Sequence, residues 1–183
     1  APIIPMVLVN GSDGIGTGYS SSIPCYNPKD IIKNIMQMLD DEEPSHMKPW
    51  YKGFKGKIVQ KDDYTYISRG VIDIPDESTV KISELPVDTW FDNYEEFLKT
   101  IMCDTATKPN MQLIDIYEES CGNNSVDFTL TFSGHTLQKM IKSDTLMQKL
   151  KLTSSISINN MYLHNATGKI TKYDTAEDIL RDF

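Results

Sequence analysis

Residues Asn10-Gly11-Ser12-Asp13-Gly14-Ile15-Gly16-Thr17-Gly18-Tyr19-Ser20 set four glycines among small polar residues, with one large aliphatic, Ile15, in the middle. Glycine allows positive φ and lets a ligand come close to the backbone. Glycine-rich loops usually cradle phosphate, and phosphate has no use for an isoleucine. A wedge inserted between DNA bases is an apolar residue of this kind. The competing reading is a plain strand-to-turn corner.

The nucleotide motifs do not fit this stretch. A phosphate-binding P-loop ends in Gly-Lys-Ser/Thr, and here Gly18 is followed by Tyr19. The dinucleotide fingerprint G-x-G-x-x-G is met by Gly14 and Gly16 and then broken by Tyr19. Mononucleotide binding is therefore not expected of this loop.

The chain has 183 residues, room for one domain or parts of two, and 39% hydrophobic content, enough for a core. No apolar run approaches the ~20 residues of a membrane span, so no membrane partner is expected. Ala1-Pro2-Ile3-Ile4-Pro5 lacks the basic start of a signal peptide and has no initiator Met, as expected of a piece of something larger. Cys25, Cys103 and Cys121 are odd in number and irregular in spacing, which suits a reducing compartment and neither a disulfide framework nor a zinc site.

A net charge of -8 opposes simple nucleic-acid binding, but the charge is segregated. Lys48, Lys52, Lys55, Lys57 and Lys61 fall in a stretch without acids, interleaved with Trp50, Tyr51 and Phe54. Residues 134–172 carry six lysines against the single acid Asp144, while acids crowd between Asp73 and Glu96. Segregation of this kind leaves basic stripes on an acidic body. For most single lysines a solvated face is the simpler account, and for the three aromatics a core plug is.

Periodicity predicts an α+β chain with mixed or antiparallel sheets and packed helices. Met6 to Val9 reads as a short buried strand feeding the glycine loop. Asn27-Pro28 reads as an N-cap with proline in the first turn of a helix to about Asp40. Strands are expected at 57–60, 64–68, 70–74 and 79–84, then a helix at 93–102 with Tyr94, Phe97, Leu98 and Ile101 on one face. Strands at 111–117 and 126–132 follow. Next come a helical region at 134–152 with Leu137, Met140, Ile141, Leu146 and Leu150 inward, a strand at 156–163, and a last helix from Thr175. The second half thus reads β-α-β-β-α-β, a ferredoxin-like split unit.

Catalytic constellations are missing from the pattern. His46, His135 and His164 have no partner at a recognisable spacing and read as surface histidines. There is no metal-ligand spacing, and Asp40 to Glu43 reads as a solvated acidic run rather than a magnesium site. On residues alone the chain is a binding or scaffolding piece: a nucleic-acid-binding module or a structural interaction domain.

Pro2-Ile3-Ile4-Pro5-Met6-Val7-Leu8-Val9-Asn10-Gly11 with Gly14-Ile15-Gly16-Thr17-Gly18 resembles the eukaryotic-type branch of the type IIA DNA topoisomerases. The likeness continues in order through Tyr26-Asn27-Pro28, Trp50-Tyr51-Lys52-Gly53-Phe54-Lys55-Gly56, Ile82-Ser83-Glu84-Leu85-Pro86-Val87-Asp88-Thr89-Trp90, Lys172-Tyr173-Asp174 and Asp178-Ile179-Leu180-Arg181-Asp182-Phe183. Bacterial gyrases have a looser version. The resemblance implies residues 1–45 as the end of a winged-helix region, 46–174 as a tower domain containing the split unit, and 175–183 as the start of the next helix. The parent enzyme would be a nuclear homodimer using ATP and Mg2+ to pass one duplex through a break in another. Its cleaving tyrosine, toprim acids and ATPase lie outside this chain, so the piece alone is expected to be inactive and to bind no cofactor. Its partners would be double-stranded DNA and the remaining domains.

The resemblance also assigns residues. Ile15 matches the family's intercalating isoleucine, with Gly14, Gly16 and Thr17 beside it. Trp90 matches a tower tryptophan that contacts DNA. Lys151, Ser154, Ser155, Asn159 and Asn160 match a segment that touches DNA, and they are the residue types that position phosphate. Lys52, Lys55 and Lys57 are added from charge alone. Three departures stand out: Asp88 where a basic residue is frequent, Tyr19 where Trp is common, and Ala1 where Tyr is expected.

Overall fold

The computed structural model describes residues 2–16, 19–102, 114, 116–119 and 126–183. Cys103, Cys121 and most of the strand expected at 111–117 lie outside them. In chain order the elements are α1 (Met6–Asn10), β1 (Ser12–Gly16), β2 (Tyr19–Ile23), α2 (Pro28–Leu39), β3 (Lys57–Asp62), β4 (Thr65–Arg69), β5 (Val71–Asp76), β6 (Thr79–Glu84), α3 (Phe91–Met102), β7 (Ile116–Glu119), β8 (Phe128–Thr131), α4 (Thr136–Lys142), α5 (Leu146–Lys149), β9 (Thr153–Ser157), β10 (Met161–His164), β11 (Ile170–Tyr173) and α6 (Ala176–Asp182). Among the described residues the strands form ribbons β1-β2 and β10-β11, a sheet β3-β4-β9, and a sheet β5-β6-β8-β7. The α+β expectation holds.

Two compact units share the chain. The first comprises residues 1–53, 58–67 and 155–183; the second comprises 54–57 and 68–154.

In the first unit, Met6 to Val9 forms part of a short helix, not the expected strand. A brief apolar run fits either state, and its ends decide. Pro5 precedes the helix and Gly11 follows it at φ +70°, where a left-handed residue stops a helix. Leu8 is fully buried, and its carbonyl accepts from the Tyr26 amide at 2.6 Å. Helix α2 starts as expected: the Asn27 side chain accepts from the Lys29 amide, and Pro28 occupies the first turn. Ile31 and Asn34 are buried, whereas Ile32, Met36 and Leu39 form a solvent-facing row. Asn34 supports the following segment, accepting from the Ser45 amide at 2.6 Å. Helix α6 is capped by Thr175, whose hydroxyl accepts from the Asp178 amide.

In the second unit, β8 pairs antiparallel with both β6 and β7, so β6-α3-β7 is a split β-α-β with β8 inserted. The full six-element pattern is not closed, because the outer neighbour of β6 is β5 and strand β9 joins β4 instead. Tyr94, Leu98 and Ile101 of α3 pack with Val80, Ile82, Phe128 and Leu130 in the core, and Phe97 lies at its margin. Tyr94 carries its hydroxyl into this core and donates to Leu150 O at 2.7 Å; burial pushes its pKa well up. The expected helical region 134–152 is two short helices, broken where Asp144 adopts φ +55°. Ile141 accordingly points outward rather than inward. The expected strand 156–163 is likewise two strands, because Asn159-Asn160 turns the chain between β9 and β10.

Candidate nucleic-acid interface

The glycine-rich stretch is an antiparallel ribbon rather than an open loop. Asp13 pairs with Ser22, Gly14 with Ser21, Ile15 with Ser20 and Gly16 with Tyr19. Small polar residues have weak strand propensity, so the sequence pattern hides the pairing that the backbone makes. Ile15 therefore sits one pair before the end of β1. Thr17 and the side chains of Ile15 and Tyr19 lie outside the described residues.

Two glycines of this stretch differ in what they do. Gly11 has φ +70°, and a Cβ there would stand 2.8 Å from Ile23 O, so the fold requires glycine. Gly14 is not in the left-handed region, and a Cβ there would meet no described atom within 4 Å. Among the described residues nothing demands glycine at position 14. Beside this ribbon lies the turn of Asn159 and Asn160, both exposed, and Asn160 O accepts from the Ser22 amide at 2.8 Å. The Asn159 amide is taken by Ser157 Oγ at 3.1 Å, and Ser155 is exposed on β9.

The second unit holds a different candidate surface. Trp90, which as a large aromatic suits a core, is 69% exposed. It borders an open cavity of about 390 Å³ together with Asn93, Tyr94, Phe97, Gln148 and Lys151. The chain makes two left-handed turns at its rim, with φ +62° at Asp88 and +50° at Lys151. Lys151 places its ammonium 4.6 Å over the Phe97 ring, which holds the cation at the cavity without neutralising it. The Asp88 carboxylate on the same rim offsets part of that charge.

The remaining assigned residues distribute as follows. The Ser154 hydroxyl is engaged inside the second unit, donating to Val87 O at 2.8 Å and sharing a short hydrogen bond with the Ser68 hydroxyl. That is a structural hydroxyl. Lys52 lies in the first unit and Lys55 and Lys57 in the second; all three are exposed, and none borders the Trp90 cavity.

One cluster in the first unit was not legible as a motif. His46 Nε2 meets the Tyr66 hydroxyl at 2.7 Å, and His46 Nδ1 lies 3.3 Å from Glu177 Oε1. The same buried carboxylate oxygen accepts from the Met47 amide at 2.6 Å. Burial first, and then the Glu177 charge, push the Tyr66 phenol above its ordinary pKa. Tyr26 is pushed up further, by burial and then by Glu177. His46 remains at the surface as expected, but it ties residues 46, 66 and 177 together across sequence distances that no spacing rule reveals. Among the described residues, no three His, Cys, Asp or Glu side chains cluster as a metal site, and no helix is long and apolar enough to cross a membrane.

Comparison with known proteins sets these surfaces in a family. The family model for the A subunit of DNA gyrase/topoisomerase IV matches residues 1–183, and the chain belongs to that family. Curated relatives of the chain include DNA topoisomerase 2 of plants and animals. It is 43% identical over its full length to DNA topoisomerase 2 of Pisum sativum and 41% identical to DNA topoisomerase 2-alpha of Mus musculus, spanning 12% of each. It superposes with a TM-score of 0.92 and 40% identity on the topoisomerase II DNA-binding, cleavage and re-ligation domain of Plasmodium falciparum, covering 99% of this chain and 24% of that one.

Proposed function

We propose that this chain binds and bends the gate segment of DNA as part of an ATP-dependent type II DNA topoisomerase, with Ile15 as the wedge. On this reading residues 1–45 end a winged-helix region, 46–174 form the tower, and 175–183 begin the next helix. The whole enzyme is a nuclear homodimer that passes one duplex through a transient double-strand break in another. Cleavage, ATP turnover and Mg2+ binding belong to domains outside this chain. This chain supplies shape to the DNA.

The observation that carries the reading is Gly14. Its conformation and its open surroundings leave glycine unexplained by folding. Close approach of a large ligand beside Ile15 explains it. Supporting it is the Trp90 and Lys151 surface, where an exposed aromatic and a cation only partly offset by Asp88 stand at one cavity. Insertion of a side chain unstacks a base step at a cost of about a few kcal/mol. Bending a 20–30 bp site costs on the order of 1–6 kcal/mol more. Phosphate contacts must offset both, and lysine, asparagine and serine at exposed positions are suited to that.

The test places Ile15→Ala in the full-length enzyme and measures the bend of gate DNA by energy transfer between its ends. A bend lost with DNA binding retained supports the wedge. A bend identical to that of the unmodified enzyme rules it out.

A further inference from the structure

A wedge needs a footing. Two-stranded ribbons are marginally stable alone. One held only at its base swings aside when it is pushed into a stacked duplex. The ribbon β1-β2 is bonded through Ser21 and Ser22 of β2 to the strand β10 and the turn before it, within the same unit. The Ser21 hydroxyl donates to Tyr162 O at 2.9 Å and accepts from the Tyr162 amide at 3.2 Å. In an antiparallel ribbon the amide and carbonyl of one residue point to the same side. Tyr162 therefore turns both groups away from its β11 partner, Lys172, and one serine side chain occupies both. A third bond, from the Ser22 amide to Asn160 O at 2.8 Å, lies next to them.

The supporting ribbon is itself anchored in the core. Met161 pairs with Tyr173, both are buried, and the Tyr173 hydroxyl bonds the Asp182 carboxylate of α6. Ile179 and Leu180 of that helix are buried as well. Load on the ribbon tip thus has a continuous path through Ser21, Tyr162 and β10-β11 into α6.

From these contacts we infer that β10-β11 is the brace of the wedge ribbon and that Ser21 is a positioning residue for DNA bending. The inference rests on the wedge reading of Ile15. Ser21 touches no DNA in this role; it fixes the ribbon against which DNA is bent.

The experiment compares full-length Ser21→Ala, Ser21→Thr and Ile15→Ala enzymes for gate-DNA bend angle by energy transfer, with binding measured in parallel. Hydrogen exchange at the Tyr162 amide is followed in the unmodified enzyme and in Ser21→Ala. The brace predicts slow exchange at Tyr162 in the unmodified enzyme and faster exchange in Ser21→Ala. It also predicts a bend for Ser21→Ala between those of the unmodified and Ile15→Ala enzymes, and a bend restored by Ser21→Thr, which keeps the hydroxyl. Loss of bend in Ile15→Ala with full bend in Ser21→Ala overturns the brace and leaves the wedge standing. Full bend in Ile15→Ala overturns the wedge and the brace with it. Fast exchange at Tyr162 in the unmodified enzyme overturns the brace even if Ser21→Ala does not fold.

Discussion

The ammonium of Lys151 stands 4.6 Å above the centre of the Phe97 ring, on a residue whose φ is +50°. A contact of this kind at an exposed site is worth about 0.5–1 kcal/mol, enough to orient the side chain and too little to hold it against a phosphate. The cation is stored in position and remains available.

Lys151→Ala in the full-length enzyme is therefore expected to weaken DNA binding uniformly across sequences. The slope of log K against log salt should shrink by about 1, the signature of one lost phosphate contact. Lys151→Arg should preserve the slope. A salt titration of binding reads both, and an unchanged slope for the alanine variant removes Lys151 from the interface.

Gly11 and Gly14 predict opposite behaviour. Gly11→Ala places a Cβ 2.8 Å from a backbone oxygen in a left-handed conformation, and should cost more than about 1 kcal/mol of stability. Gly14→Ala enters open space in an ordinary conformation, and should be neutral or stabilising by about 0.4–1 kcal/mol. Its cost should appear only in DNA binding and bending. Urea unfolding and a binding assay on the same two variants separate these effects.

Four tyrosines, Tyr26, Tyr66, Tyr94 and Tyr173, have phenols pushed above their ordinary value of 10.0. The unfolded chain loses these protons first, so their contribution to stability is complete below about pH 10 and is lost as pH rises toward the folded values. The urea midpoint should fall across that window. Glu177→Gln removes a charge that raises two of them, Tyr26 and Tyr66. Its tyrosinate absorbance titration should shift to lower pH, and coincident curves would discard the electrostatic account of this cluster.

Much of the fold is legible in the residues. The cap at Asn27-Pro28, the strands from Lys57 to Glu84 and the face of α3 follow from capping chemistry and period alone. What escaped was decided by distant parts of the chain. Met6 to Val9 became helical because of its two ends, and the polar ribbon β1-β2 is held by backbone pairing. The exposure of Trp90 and the engagement of Ser154 depend on neighbours far away in sequence. The Ile15 stretch stood out because a bulky residue among glycines is chemically odd. The footing under it did not, since Ser21 and Tyr162 are ordinary residues 141 positions apart.

The interleaving of the two units bears on the order in which the chain can acquire its structure during synthesis. Nearly all of the second unit is one uninterrupted stretch, residues 68–154, whereas the first needs residues 155–183 to meet residues 1–53. Units whose contacts are close in sequence form sooner, because less chain must be closed into a loop. On the ribosome the unit that carries Trp90 can be complete while the ribbon β1-β2 still waits for β10-β11 and α6 to be translated.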